Sequence, residues 1–305
     1  MRLVFAGTPV VAVPALRLLA ERHEVVAVLT RRDAELGRKR VLTPSPVAAA
    51  AEELGIETIK ANRLDESVTE RIRALAPELG VIVAYGGLVR EPLLSTPRLG
   101  WVNLHFSLLP AWRGAAPVQH AVIAGDEVTG AAVFQLVPEL DAGAVFSELT
   151  RPIGADETAG DVLDALSQSG AELLAGTVDA LASGTAVAVE QTGDVTLAPK
   201  LSLADAHLDF GQPADAVYAR LRGVTPEPGA FAMLGDDRFK LIAARQAADA
   251  DPLPAGVVAL QGKRVVVGTG THPLELLTVQ PAGKKAMAAA DWWRGLPTGS
   301  ELVLR

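Results

Sequence analysis

The chain contains no cysteine. Disulfide scaffolds, thiol nucleophiles, thiolate zinc sites and iron–sulfur clusters are therefore excluded. The lack of disulfides suits a cytoplasmic protein, and that compartment is the expectation. Long apolar runs are missing as well. Nothing approaches the roughly 18 apolar residues of a membrane span, so no membrane partner is expected. Residues 3–16 carry no charge, but Gly7, Pro9 and Pro14 interrupt them, and Arg17, Glu21 and Arg22 follow at helical spacing. A strand, a turn and an amphipathic helix fit that pattern better than a leader peptide. The first turn reads Ala6-Gly7-Thr8-Pro9 and is not Gly-x-Gly-x-x-Gly, and no Gly-x4-Gly-Lys-Ser/Thr loop occurs anywhere. A dinucleotide cofactor and phosphoryl transfer thus lose their usual sequence support.

What remains is a well-populated core. Of 305 residues, 49% are hydrophobic, which rules against disorder and leaves room for two domains. The net charge of −8 argues against a polyanionic partner. Its distribution softens that argument. Residues 1–205 hold 17 basic and 26 acidic side chains, a net of −9, and residues 206–305 hold 11 and 10, a net of +1. Local basic clusters can still serve a nucleic acid.

Along the chain, strands are predicted at 2–6, 24–30, 57–59, 79–84, 101–105, 130–137 and 144–149, with helices at 11–22, 48–54, 65–76 and 158–181 between or after them and a further helix after 119 that ends at 124. Strands alternating with helices predict an α/β domain over 1–184, Rossmann-like, its sheet mostly parallel with helices on both faces. Residues 31–40 form a loop with Arg31, Arg32, Arg38, Lys39 and Arg40 against Asp33 and Glu35. It reads either as a solvated loop or as a phosphate grip. From 183 to 199 the pattern turns to Gly, Thr, Val and Pro, and 185–205 is predicted as a linker. A helix at 214–222 and five short strands between 230 and 280 then predict a small C-terminal β-barrel over 206–305, with oligonucleotide-binding (OB-like) barrels as one option.

The chemically richest stretch is 101–119. Asn103 and His105 are two apart in an extended strand, so their side chains leave the same face. The chain then breaks at Ser107 and Pro110 and runs through a Gly/Pro-rich loop to Pro117. Ligands of open α/β sheets bind at the carboxyl ends of strands. An Asn donor and a His there are a candidate pair for a developing negative charge. A core histidine beside a capping asparagine is the plainer alternative. Asp141 lies in the turn 138–143. It either binds its own backbone or reaches His105, fixing its tautomer and raising its basicity. Tyr85-Gly86-Gly87 ends the strand at 79–84 and turns toward the same edge.

Asn103-Leu104-His105-Phe106-Ser107-Leu108-Leu109-Pro110, followed by Arg113-Gly114-Ala115-Ala116-Pro117 and by Leu140-Asp141-Ala142-Gly143, closely resembles the signature of the folate-dependent formyltransferases. Phe5-Ala6-Gly7-Thr8-Pro9, Pro44-Ser45-Pro46-Val47, Val83-Ala84-Tyr85-Gly86, Trp112 before Arg113, and Gln280-Pro281-Ala282-Gly283-Lys284-Lys285-Ala286-Met287 extend the resemblance almost end to end, toward the methionyl-tRNA formyltransferase branch. The resemblance implies transfer of the formyl group of N10-formyltetrahydrofolate to the amino group of methionyl initiator tRNA, in translation initiation. It implies Asn103, His105 and Asp141 as catalytic residues, and Ser107, Leu108, Leu109, Pro110, Tyr85 and Gly86 at the folate. It also implies Arg38, Lys39, Arg40, Lys284 and Lys285 at the tRNA, with the C-terminal domain contacting it, no metal, and a monomer. A formyltransferase acting on an amino-sugar nucleotide, a formyltetrahydrofolate hydrolase or the amino-terminal part of a folate dehydrogenase, and a non-enzymatic folate- or RNA-binding module remain the alternatives. Two departures stand out. The family commonly has Gly where this chain has Phe106, which places a bulky residue beside the expected formyl pocket. The basic loop lacks the family's two prolines and carries Lys39 in place of a glycine.

Overall fold

A computed structural model describes residues 1–37, 40–297 and 302–305, and it divides the chain into two compact units. Unit 1 comprises Met1–Pro117, Val128–Arg151 and Leu163–Ala198. Its strands are β1 (Arg2–Gly7), β2 (Glu24–Thr30), β3 (Thr58–Lys60), β4 (Leu79–Val83), β5 (Trp101–His105), β6 (Val128–Gln135) and β7 (Val145–Pro152). They form one sheet in the order β7-β6-β5-β4-β1-β2-β3. The pairs β1–β2, β1–β4, β2–β3 and β4–β5 are parallel, and β5–β6 is antiparallel. This is the Rossmann-like, mostly parallel sheet that the alternating pattern predicts.

The central strands are buried on both faces, which explains their unbroken apolar runs. All five residues of β4 are buried. Trp101, Phe5, Phe134, Leu3 and Leu79 are fully enclosed. The helices α1 (Val13–Arg22), α2 (Pro46–Glu53) and α3 (Glu66–Leu75) follow the strands in sequence, as do α4 (Pro117–Ala124), which falls almost wholly in the second unit, and α5 (Ala159–Ser183), which falls mostly in the first. Their starts have identifiable causes. The Ser45 hydroxyl accepts from the Ala48 N–H at 3.0 Å with proline at the first helical position, and the Asp65 carboxylate accepts from the Val68 N–H at 3.2 Å. The chain runs from β1 to β3 on one side of β1 and then returns to β4 on the other. That reversal makes the carboxyl ends of β1 and β4 a topological switch point. The Thr8 hydroxyl bridges it, donating to the Tyr85 carbonyl at 3.1 Å.

The basic loop is more ordered than its sequence suggests. Ala34–Leu36 pairs with Val41–Thr43 as a short antiparallel ribbon. Arg38 and Lys39 lie outside the described residues.

Unit 2 comprises Val118–Glu127, Pro152–Val162 and Pro199–Arg305. After α6 (Ala214–Gly223) come β8 (Phe231–Leu234), β9 (Asp237–Gln246), β10 (Val257–Gln261), β11 (Arg264–Val267), β12 (Leu274–Gln280), β13 (Met287–Ala288), α7 (Ala289–Arg294) and β14 (Leu302–Val303). The sheet order is β8-β9-β12-β11-β10-β14, with β13 on β12 and antiparallel pairing throughout. The last residues close it. The Met233 N–H donates to the Arg305 carbonyl at 2.6 Å, and the Arg305 N–H returns to Met233 at 2.9 Å. A closed sheet leaves no free edge strand, and this one is the small barrel expected. Phe239 and Trp292 pack inside it, ring centres 4.6 Å apart, with Tyr218 and Phe210 in the same core.

Candidate active site

β5 ends with Asn103 partly exposed and His105 buried, both on one face of the sheet. Among the described residues the Asn103 side chain has no hydrogen-bond partner. Its amide is therefore available to an incoming group.

His105 is held from two sides. Its Nε2 lies 2.9 Å from the Trp112 carbonyl, which can only accept, so this nitrogen carries a proton. Its Nδ1 lies 3.9 Å from Asp141 Oδ2. That separation is too long for a hydrogen bond and short enough for strong attraction once the ring is charged. The Phe134 ring stands edge-on at 6.3 Å. Burial pushes the imidazole pKa below its ordinary value, and the Asp141 carboxylate and the Trp112 carbonyl pull only partly the other way. The resting ring is therefore neutral at neutral pH, with the Nδ1 lone pair beside the carboxylate.

Two turns deliver these partners, and each depends on backbone that few residues tolerate. Ser107 donates to the Ala111 carbonyl at 2.6 Å, folding the loop back on itself. Trp112 then adopts φ +60°, which aims its carbonyl at His105. Gly114 follows at φ +132°, and a Cβ there would lie 2.5 Å from the Ala198 carbonyl oxygen. Its N–H donates to Asp141 Oδ2 at 2.8 Å. Asp141 itself sits at φ +48°, a left-handed position that Asp and Asn accept more readily than most side chains. Gly143 has no room for a side chain, because a Cβ would fall 1.7 Å from the Gln135 carbonyl oxygen. The Arg-Gly and Leu-Asp-x-Gly motifs thus have steric reasons.

The other candidate residues fall into distinct places. Ser107 is wholly buried, and Leu109 packs with Ala132 and Phe134. Leu108 is half-buried and Pro110 buried. Tyr85 is enclosed, its hydroxyl donating to the Ala61 carbonyl at 2.8 Å. What Tyr85 can offer a ligand is the backbone of its turn, where Ala84 and Gly86 both have positive φ. Arg31 braces that turn. Its guanidinium stacks 5.5 Å over the Tyr85 ring and donates to the carbonyls of Gly86 and Asn62. Arg40 pairs with Glu35 at 3.2 Å. Lys284 and Lys285 are exposed and have no ion pair among the described residues.

Phe106 does not lie where the sequence suggests. It alternates to the face opposite Asn103 and His105 and is 6% exposed. A Cβ placed on Gly170 of α5 would be 3.5 Å from Phe106 Cε1 and 3.2 Å from Leu104 Cδ2. The ring fills a gap over a helical glycine and does not crowd the polar face.

Sequence reasoning also passes over Gln191, which lies within the stretch read as a linker. Its Oε1 accepts from Arg113 Nη2 at 2.6 Å and Nε at 3.1 Å. Its Nε2 donates to the carbonyls of Asp141 and Gly143, both at 2.8 Å. A glutamine in a Gly/Thr-rich segment carries no local signal for such a role.

A cleft of about 770 Å³ lies elsewhere, at the end of β3. Arg32, Lys60, Arg63 and Arg71 line it, but Lys60 pairs with Asp33 and Arg71 with Glu57, and none of the site residues borders it. Among the described residues no group of three or more His, Asp or Glu is placed to hold a metal ion. None of the described helices is long and apolar enough to cross a membrane.

With this geometry in hand, comparison with known proteins is decisive for the family. Residues 1–178 match the formyl transferase model, and residues 200–297 match the model of the formyl transferase C-terminal domain. The chain belongs to the formyl transferase family. It is 69% identical over 304 residues to a protein of Leifsonia xyli subsp. xyli named methionyl-tRNA formyltransferase, covering 100% of both chains. A Clavibacter sepedonicus protein of the same name is 62% identical, with 98% of each chain covered. One from Thermobifida fusca is 54% identical, covering 98% of this chain and 97% of its own. Among solved structures, the sugar 3N-formyl transferase WlaRD, determined with dTDP and 5-N-formyl-THF, matches at TM-score 0.70 and 13% identity, covering 93% of this chain and 99% of that one. HypX from Aquifex aeolicus matches at TM-score 0.70 and 16% identity, covering 97% of this chain and 48% of that one. At such identities these two bear on the fold alone.

Proposed function

We propose that this formyl transferase moves the formyl group of N10-formyltetrahydrofolate to the amino group of methionyl initiator tRNA, giving N-formylmethionyl-tRNA for translation initiation. The observation that carries this reading is the end-to-end identity, up to 69%, to relatives named for that activity. Folate-bound neighbours of the same fold support the donor, HypX among them in a complex with tetrahydrofolic acid.

The chemistry needs no side-chain nucleophile, because a neutral amine attacks by itself. Attack on the formyl carbon gives a tetrahedral oxyanion. Asn103, with its amide unengaged, donates to that oxygen. His105 is neutral at rest and takes the amine proton at Nδ1, where Asp141 stabilises the imidazolium. The proton then passes to N10 as the bond from the formyl carbon to N10 breaks, leaving tetrahydrofolate. This ordering differs from one in which His105 begins protonated, and burial of the ring is the reason for preferring it. Residues 107–110 and the turn at Tyr85-Gly86 shape the folate pocket in this reading.

The test is a competition assay with formyl donor and four acceptors: Met-tRNA, free methionine, an amino-sugar nucleotide and water. Product on Met-tRNA alone supports the reading, and preference for any other acceptor overturns it.

Asp141 sets a pH dependence. Its carboxylate favours the charged imidazole, so Asp141→Asn lowers the His105 pKa further. The acid limb of kcat at saturating substrates, already below that of an ordinary imidazole, moves to lower pH in this variant while the maximal rate falls. An acid limb that stays in place rules out the His105–Asp141 coupling.

Lys284 and Lys285, and Arg38, Lys39 and Arg40, are the proposed phosphate contacts, with the C-terminal unit touching the tRNA. Removing one such cation from a phosphate reduces the slope of log affinity against log salt by about 0.7–0.9. Lys284→Ala with Lys285→Ala is expected to flatten the slope by roughly 1–2, read from tRNA binding between low and moderate salt. An unchanged slope returns both lysines to an ordinary solvated turn.

A further inference from the structure

Residues 189–198 run back along unit 1 and fasten both loops of the site. Val189 bridges to Val145. Thr196 accepts the Trp112 N–H at 2.8 Å through its hydroxyl and the Arg113 N–H at 2.9 Å through its carbonyl. Ala198 accepts the N–H groups of Ala115 and Ala116 at 2.8 and 3.1 Å. These bonds fix the loop that presents the Trp112 carbonyl to His105. Gln191 is the one side chain in the segment that reaches the other loop, through its two bonds to the Asp141 turn.

We propose that Gln191 is a positioning residue for the formyl transfer, setting the separation between Asp141 and His105 from a segment outside the sequence motifs. The proposal rests on the functional reading above for its link to turnover. The amide has only one way round. Both bonds from the Arg113 guanidinium fall on Oε1, so the NH2 end must face the two carbonyls of the 141–143 turn. Asp141 is held at φ +48°, away from the ordinary backbone wells. The Gly114 N–H fixes the carboxylate of this turn, and Gln191 fixes its backbone. Without Gln191 the turn can relax away from the left-handed conformation and carry its carboxylate away from His105. Among the described residues Asp141 is the one charged group that bears on the imidazole, with Arg113 beyond it on Gln191. The Trp112 carbonyl and the Phe134 ring occupy the remaining sides.

The test compares Gln191→Leu, close in size and unable to bond, with the wild-type full chain. Expected are a near-native melting curve, KM values for both substrates within about twofold, and a kcat lower by about 10- to 100-fold, the scale of a misplaced catalytic group. The deciding readout is the titration of His105 followed by NMR, assigned with His105→Gln. It should move to lower pH in Gln191→Leu, in the direction of Asp141→Asn, which a merely structural role would not produce. A His105 titration and an acid limb both unchanged overturn the proposal, even if kcat falls. Should Gln191→Leu fail to fold, Arg113→Leu, which frees the amide to turn, takes its place: a His105 titration moved to lower pH supports the proposal and an unmoved one overturns it. If the wild-type chain formylates no Met-tRNA, the functional reading fails, while the titration still decides for or against Gln191.

Discussion

Asn103→Ala is expected to slow formyl transfer to Met-tRNA by about 100-fold or more at saturating substrates, the loss typical of one oxyanion donor. The melting curve should stay close to wild type, because the side chain is partly exposed and has no partner among the described residues. An amide that stabilises nothing at rest and a developing charge in the transition state lowers the barrier without tightening substrate binding. KM should accordingly change much less than kcat. His105→Ala should lose a comparable factor for a different reason, the proton path, and should also abolish the acid limb. The two variants are therefore separable by their pH profiles. Turnover near wild type in both would leave His105 a core histidine and Asn103 a strand-end polar residue.

Much of the fold and the site is legible in the sequence, and the reasons are local. Alternating strands and helices of ordinary length reveal a parallel sheet, and β4 with its five buried apolar residues is readable as a central strand. Asn103 and His105 are legible because a strand forces i and i+2 to one face. Period two also puts Leu104 and Phe106 on the opposite face. A strand taken only as far as His105 leaves Phe106 to the loop and outside the alternation. Tyr85 illustrates a second limit. Its position at a strand end is legible, but the partner of its hydroxyl, the Ala61 carbonyl, lies 24 residues away. Gln191 and Arg113 are 78 positions apart, and barrel closure joins Met233 to Arg305. Contacts of that range leave no mark on local periodicity. Arg31 reads in sequence as one of five loop cations, although stacking on Tyr85 and two backbone carbonyls make it a brace.

Phe106→Ala is expected to cost about 3 kcal/mol or more of stability, as for other buried aromatic truncations. In a unit of this size that corresponds to a fall of roughly 6–12 °C in melting temperature. The folate KM of the folded fraction should stay within about twofold of wild type. A ring lining the formyl pocket would give the opposite pattern, a small stability change and a large shift in KM, so the pair of measurements decides between the two locations. Gly170 supplies an internal control. A methyl added there meets Leu104 at 3.2 Å, a tight contact in the wild-type background, and Phe106 at 3.5 Å, an ordinary one. The helix propensity of alanine over glycine, about 1 kcal/mol, is gained in either background, but after Phe106→Ala the Leu104 side chain can give way into the vacated space. Gly170→Ala should therefore stabilise the Phe106→Ala variant more than it stabilises the wild type. Contact between the two sites predicts that difference, a coupling of roughly 0.5 kcal/mol or more in a double-mutant cycle. Strict additivity would mean that the ring does not rest on α5.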